Sequence, residues 1–217
     1  EALFREPVPD QPRPIEQVYG LVRDTVLAYP MGNIHPRFWS WFRWAGIFSG
    51  ALGDFFPAVR ASRLGGGSHA AARLDQQVVG WLREMVGLPS SASGTLVSGG
   101  SMANLIGLTV ARNTAAGIDL REHGVAALDL PLRYYASDQV HSCHRKAVET
   151  LGLGNRALRR IPSGANCRIN LDALQAAIAQ DRAEGFHPAC IIGTAGTVNS
   201  GAVDDLAALA DIAADEN

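Results

Sequence analysis

From Thr95 onward, short apolar and β-branched runs alternate with segments of helical periodicity, and this alternation limits the chain more than any other feature. Thr95–Val97, Arg133–Ser137, Ala157–Ile161 and Ala189–Thr194 read as strands. Between and after them lie helical segments: from Ser101 to near Asn113, Cys143–Leu151, Leu171–Ala183 with Asn170 as its cap, and Val203–Asp215. Strands that alternate with helices imply an α/β fold with a largely parallel sheet. The run from Ala189 to Thr194, apolar and bounded by turn residues, has the signature of a buried parallel strand.

Upstream of Thr95 the pattern is helical. Ile15–Leu27 and Gly46–Phe56 have apolar residues at helical spacing, and Pro57 is placed to end or kink the second segment. A longer helix is expected from Ser68 or His69 to about Val86, stopped by Gly87 and Pro89, with His69 as a surface or capping residue. Residues 1–14 are proline-rich and read as an extended arm. Between the first two helices, Phe38, Trp39, Trp41, Phe42 and Trp44 crowd one short stretch. They either pack into a core or line a pocket or an interface.

The totals exclude several classes. A net charge of −2 and a pI near 6.3 give no basic surface for nucleic acid or acidic lipid. No apolar run is long enough to span a bilayer, and the first residues lack the basic-then-apolar order of a signal peptide. Cys143, Cys167 and Cys190 are widely spaced, form no CxxC pair and no metal-ligand pattern, and suit a reducing cytoplasm.

In parallel α/β sheets, ligands sit beyond the carboxyl ends of the strands. Three stretches fall there together: Ser98–Ser101, Asp138–Ser142 and Thr194–Thr197. In the first, two glycines lead into a helix at whose N-cap Ser101 is expected. Free N–H groups, the positive end of the helix dipole and a hydroxyl make such a junction either a phosphate seat or a plain capped helix. The second offers His141, whose imidazole could stack on a planar ring or move a proton. The third offers the Thr194 hydroxyl. A phosphate joined to a flat ring describes pyridoxal phosphate as well as it describes a nucleotide.

Ser98-Gly99-Gly100-Ser101-Met102-Ala103-Asn104, Ser137-Asp138-Gln139-Val140-His141-Ser142 and Gly193-Thr194-Ala195-Gly196-Thr197 resemble successive motifs of the group II pyridoxal-phosphate-dependent amino-acid decarboxylases. His35-Pro36-Arg37-Phe38, with Trp41 and Phe42, is similar to the N-terminal pocket segment of that family. The resemblance covers about residues 15–217. It implies a fold-type-I large domain, with a mostly parallel sheet flanked by helices, incomplete here and preceded by a helical N-terminal arm. Residues 1–60 would form the arm and a helical segment for dimerisation and the substrate pocket. Residues 61–217 would form the N-terminal part of the cofactor-binding domain.

Carried over residue by residue, the resemblance implies that Gly100 and Ser101 hold the phosphate of pyridoxal 5'-phosphate. His141 would stack on the pyridine ring and orient the substrate carboxylate. Thr194 would lie against the cofactor or near its ring oxygen, and Trp41 and Phe42 would shape the side-chain pocket, in the family's intertwined homodimer. The implied reaction is decarboxylation of an amino acid, with the aromatic cluster favouring an aromatic substrate. The family's pyridinium-pairing aspartate and cofactor-attaching lysine are expected beyond Asn217, on this chain or on a separate chain supplying the C-terminal half. Lys146, the sole lysine, is not at that position and is expected on the surface. As a lone polypeptide the 217 residues are expected to be inactive. The rival expectations are a related fold-type-I lyase or aldehyde synthase, and a non-catalytic truncated paralogue that acts by association.

Overall fold

The structure is a computed structural model that describes residues 9–39, 46–60 and 69–216. Trp41 and Phe42 lie outside the described residues. The chain divides into two units, Glu1–Ser62 and Arg63–Asn217.

In the first unit, helix α1 (Ile15–Val22) runs on into a π-helical turn, Arg23–Leu27. The Thr25 hydroxyl there bonds back to the Leu21 carbonyl, a side-chain insertion of the kind that loosens a helical ladder. Helix α2 spans Phe48–Arg60. Pro57 does not end it: the helix continues for three residues and gives up the one bond that the missing N–H would have made. Trp39 is exposed, so within the described residues it is not core.

The second unit opens with α3 (Ala70–Met85), capped by the His69 imidazole, which accepts from the Ala72 N–H. Gly87, at φ +72°, closes it. The Gly87 N–H donates to the Glu84 carbonyl at 3.1 Å and the Leu88 N–H to the Arg83 carbonyl at 3.0 Å, the bonding pattern of a Schellman turn. Helix α4 (Gly100–Ala115) follows, then the short α5 (Leu120–His123), strand β1 (Leu132–Ser137), α6 (Cys143–Thr150), β2 (Leu158–Ile161), α7 (Leu171–Ala183), β3 (His187–Ile192) and α8 (Leu206–Asp215). Asn170 caps α7, accepting from the Ala173 N–H at 2.9 Å.

The strands form one parallel sheet in the order β2-β1-β3. Period-two alternation along β1 sends Leu132, Tyr134 and Ala136 toward α4 and α6, where they meet Leu108, Ala147 and Val148. Tyr135 faces the other way, into Leu174, Ala177 and Ile178 of α7 and Leu209 and Ile212 of α8. The unit is therefore a three-layer α/β/α sandwich.

Two strand expectations need correction. Thr95–Val97 is not a strand: no described strand lies alongside to take its main-chain groups, and Leu96 is exposed. The run from Ala189 to Thr194 forms a parallel strand only as far as Ile192, and Ala189–Ile192 are half-buried, because among the described residues only β1 pairs with the strand.

Asp181 of α7 is wholly buried under the sheet. Its carboxylate accepts a hydrogen bond from Arg159 of β2, and Arg133 Nε of β1 lies 3.6 Å away. The Arg133 guanidinium also stacks on Phe186, 3.7 Å from the ring centre. Removing the carboxylate strands two guanidiniums against an apolar layer. Asp181→Ala is expected to cost about 3 kcal/mol in urea unfolding, the low end for a broken buried pair, since both arginines keep some contact with water.

Candidate functional site

The three motif stretches come together at the C-terminal edge of the sheet. Ala136 of β1 pairs with Ile192 of β3, so Asp138–Ser142 and Gly193–Thr194 leave adjacent strands at the same end. Helix α4 is brought in by two contacts. The Tyr134 hydroxyl, fully buried in β1, donates to the Leu108 carbonyl at 3.3 Å. Nearer the start of α4, Asn104 Nδ2 lies 3.3 Å from Cys143 Sγ at the start of α6.

The N-cap of helix α4 is Gly99, two residues before the expected Ser101, and the helix starts at Gly100. Gly99 takes φ 128°, ψ 168°, a region essentially reserved for glycine. That turn lets the helix begin at once and places Ser101 inside its first turn. The N–H groups of Met102 and Ala103 bond to the Gly99 carbonyl, which leaves those of Gly100 and Ser101 at the open end. Among the described residues no side chain caps this end, and a Cβ added at Gly99 or Gly100 would meet nothing within 4 Å. Ser101 is exposed beside it. An anion fits here through backbone donors, one hydroxyl and the helix dipole.

His141 is exposed on the turn after β1. Its Nδ1 accepts the Cys143 N–H at 3.2 Å, so the neutral ring carries its proton on Nε2. Below it, the buried His144 bonds through Nδ1 to the His141 carbonyl at 3.1 Å. Burial holds the His144 imidazole below its usual pKa, against the opposing pull of that carbonyl. At the head of the turn, a hydrogen bond from Ser163 holds the Asp138 carboxyl below the usual carboxylate range.

Thr194 follows β3 and is half-buried. Its N–H donates to Asp204 Oδ2 at 2.9 Å, and its carbonyl accepts the Asp204 N–H at 2.9 Å. Gly193 is required by close approach, since a Cβ there would sit 2.7 Å from Leu206 Cδ2 and 3.0 Å from Leu209 Cδ1. Asp204 is not at the start of α8 as its sequence position suggests. Asp205 is the cap, accepting from the Ala208 N–H at 3.1 Å. Asp204, with Asn104 and His144, is a site residue that sequence reasoning missed. The doubled aspartate was the signal, because one helix needs one cap.

The rim carrying Ser101, His141 and Thr194 is open. A cavity of about 590 Å³, lined by Leu132, Arg133, Ala157 and Phe186, belongs to the opposite, N-terminal ends of the strands. Lys146 is exposed on α6. Among the described residues no group of three His, Cys, Asp or Glu is placed to hold a metal ion, and no helix is long and apolar enough to cross a membrane.

An α/β sandwich with a glycine-fronted helix start, an imidazole and a hydroxyl at the strand-end rim matches a class of proteins that bind cofactors there. The pyridoxal-dependent decarboxylase conserved domain matches residues 1–217, and the chain belongs to that family. It is 37% identical over 190 residues to the aromatic-L-amino-acid decarboxylase of Bacillus atrophaeus, covering 84% of this chain and 37% of that relative. Among solved structures, the glutamate decarboxylase domain of a diaminobutyrate-pyruvate transaminase and L-2,4-diaminobutyrate decarboxylase from Vibrio parahaemolyticus superposes with a TM-score of 0.92 at 26% identity, over 99% of this chain and 48% of that one. Oryza sativa TDC with PLP and tryptamine gives a TM-score of 0.84 at 27% identity, over 98% and 45%. The fold is therefore the fold-type-I one of these enzymes, and the chain spans less than half the length of the relatives it matches. Pyridoxal phosphate, the cofactor of the family, fits the rim at its phosphate end, because the helix start is glycine-fronted and, among the described residues, uncapped and sterically open.

Two outcomes follow. Gly99→Ala is expected to cost about 1–3 kcal/mol in thermal unfolding, the penalty of forcing a Cβ into this backbone region. His144 imposes a pH slope of known sign. Its folded pKa lies below the unfolded value near 6.5, so the unfolded chain takes up the proton first as pH falls. The stability that His144 contributes is fully present above pH 6.5 and declines below it, down to the folded pKa. Denaturant titrations at pH 7.5 and 5.5 are expected to show a smaller loss for His144→Asn than for the parent protein.

Proposed function

We propose that this chain is the cofactor-binding N-terminal portion of a pyridoxal-phosphate-dependent decarboxylase that converts an aromatic L-amino acid to its amine and carbon dioxide. The observation that carries the reading is the convergence of the Gly99–Ser101, Asp138–Ser142 and Gly193–Thr194 stretches on one rim. Substrate choice is supported by the identity to an aromatic-L-amino-acid decarboxylase and by the crowding of Phe38, Trp39, Trp41, Phe42 and Trp44 in the sequence.

In this reading the N–H groups of Gly100 and Ser101, with the Ser101 hydroxyl, bind the cofactor phosphate at the positive end of α4. The bound cofactor supplies the electron-accepting ring that lets an α-carboxylate leave as carbon dioxide. His141 would stack on that ring. With Nδ1 already accepting from Cys143, its Nε2–H donates to the substrate carboxylate and aligns the bond to be broken. The Thr194 hydroxyl would contact the cofactor from the loop after β3. Trp41 and Phe42 shape the side-chain pocket across a homodimer interface, and the pyridinium-pairing aspartate and attaching lysine come from a C-terminal half on the same or a separate chain. The free thiols of Cys143, Cys167 and Cys190 accord with work in a reducing cytoplasm.

The test is a purified full-length enzyme carrying these residues, assayed for carbon dioxide release across aromatic, acidic and diamino L-amino acids. Aromatic substrates are expected to give the highest kcat/KM. His141→Ala is expected to lower kcat by about 100-fold or more with the melting temperature little changed. Ser101→Ala is expected to weaken cofactor binding by about tenfold, the loss of one hydrogen bond to a charged group. Equal turnover in His141→Ala and the parent would remove the histidine from the reaction.

A further inference from the structure

Asp204 is buried, 3% exposed, and its carboxylate faces two backbone donors. Oδ2 accepts the Thr194 N–H at 2.9 Å and Oδ1 accepts the Ile169 N–H at 2.8 Å. These partners belong to different crossovers. Thr194 follows β3, while Ile169 sits in the turn after β2, and β2 and β3 flank β1 on opposite edges. One carboxylate thus spans the C-terminal end of the central strand. On the far side, Ile169 pairs with Ser163 in an isolated antiparallel bridge, and Ser163 lies two residues beyond Ile161, whose carbonyl accepts the Asp138 N–H at 2.9 Å at the head of the His141 turn. The near side is braced as well. Ala195 bridges Val203, the Thr197 N–H donates to the Ala202 carbonyl at 2.9 Å, and the buried Thr197 hydroxyl lies 2.6 Å from the Ser200 hydroxyl. The loop after β3 is therefore a stiff unit, and Asp204 is what fixes it to the rest of the rim.

We infer that Asp204 is a positioning residue for the cofactor rim, setting Thr194 and, through Ile169, Ser163 and Asp138, the His141 turn in a common frame. The inference rests on the reading of this rim as the cofactor site. An amide in place of the carboxylate keeps one acceptor and turns its NH2 against a backbone N–H, so Asp204→Asn loses one tie and gains a donor-donor clash. Such a change acts on geometry and leaves side-chain size almost untouched.

The test uses the full-length enzyme and pyridoxal phosphate as the probe. Amide hydrogen exchange is measured in the cofactor-free protein, and cofactor affinity by fluorescence titration. Asp204→Asn is expected to speed exchange at Thr194 and Ile169 at least tenfold and to weaken cofactor binding about tenfold or more. Leu132→Ala, a buried core truncation at the N-terminal end of β1 and in the opposite layer from Ile169, serves as the stability control. It is expected to lower the melting temperature as much or more while leaving cofactor affinity within twofold. Asp204→Glu, which keeps the charge but moves the oxygens by one methylene, is expected to fold and to show the same affinity loss. Unchanged affinity in both Asp204 variants, or an equal loss in Leu132→Ala, overturns the inference. Failure of the parent enzyme to bind pyridoxal phosphate overturns the reading of the rim and the inference with it, and is distinguished by appearing before any substitution is made.

Discussion

Strand β1 is hydrogen-bonded along both edges and packed on both faces, and the rim depends on that double constraint. Tyr134 and Tyr135, adjacent in sequence, are both fully buried and point into opposite layers. A slip of one residue would exchange the two faces and send Arg133 into the wrong layer. The register is therefore fixed, and with it the place where Ser137 ends and the His141 turn begins. Because β2 and β3 run parallel to β1, their following loops must emerge at the same end. The meeting of the motifs is a consequence of strand direction.

Much of this was legible in the sequence because it is local. Periodicity located α4, α6, α7 and α8, the Asn170 cap fixed the start of α7, and Gly87 marked the end of α3 through its left-handed backbone. The strand at Arg133–Ser137 was visible from its adjacent tyrosines together with its turn-bounded ends. What failed depended on partners distant in the chain. An extended segment such as Thr95–Val97 becomes a strand only when a neighbour takes its main-chain groups, and nothing within those residues reports on a neighbour. The same limit explains β3, whose apolar run reads as buried although one of its edges has no described strand beside it. The start of α4 failed for a subtler reason. Serine is a better cap than glycine on propensity, yet Gly99 can adopt a backbone angle that Ser101 cannot, and the turn geometry decided the outcome.

The candidate site divides along the same line. Ser101, His141 and Thr194 carry reactive or donor groups and stood out by chemistry and spacing. Asn104, His144 and Asp204 hold those residues in place, and their partners lie far off in sequence or in the folded backbone: Asn104 reaches Cys143, and Asp204 reaches Ile169. A supporting residue has no motif of its own, since its role is defined by what it touches.

The two buried aspartates of the second unit show how differently one side chain can be used. Asp181, near the N-terminal ends of the strands, is held by arginine side chains, which are long and can adjust as the packing shifts. Asp204, at the C-terminal rim, is held by main-chain N–H groups, so its bonds act on the backbone directly and transmit position with little slack. The end of the sheet that needs only to be stable thus uses charge against charge, while the end that must hold three loops in register uses charge against backbone.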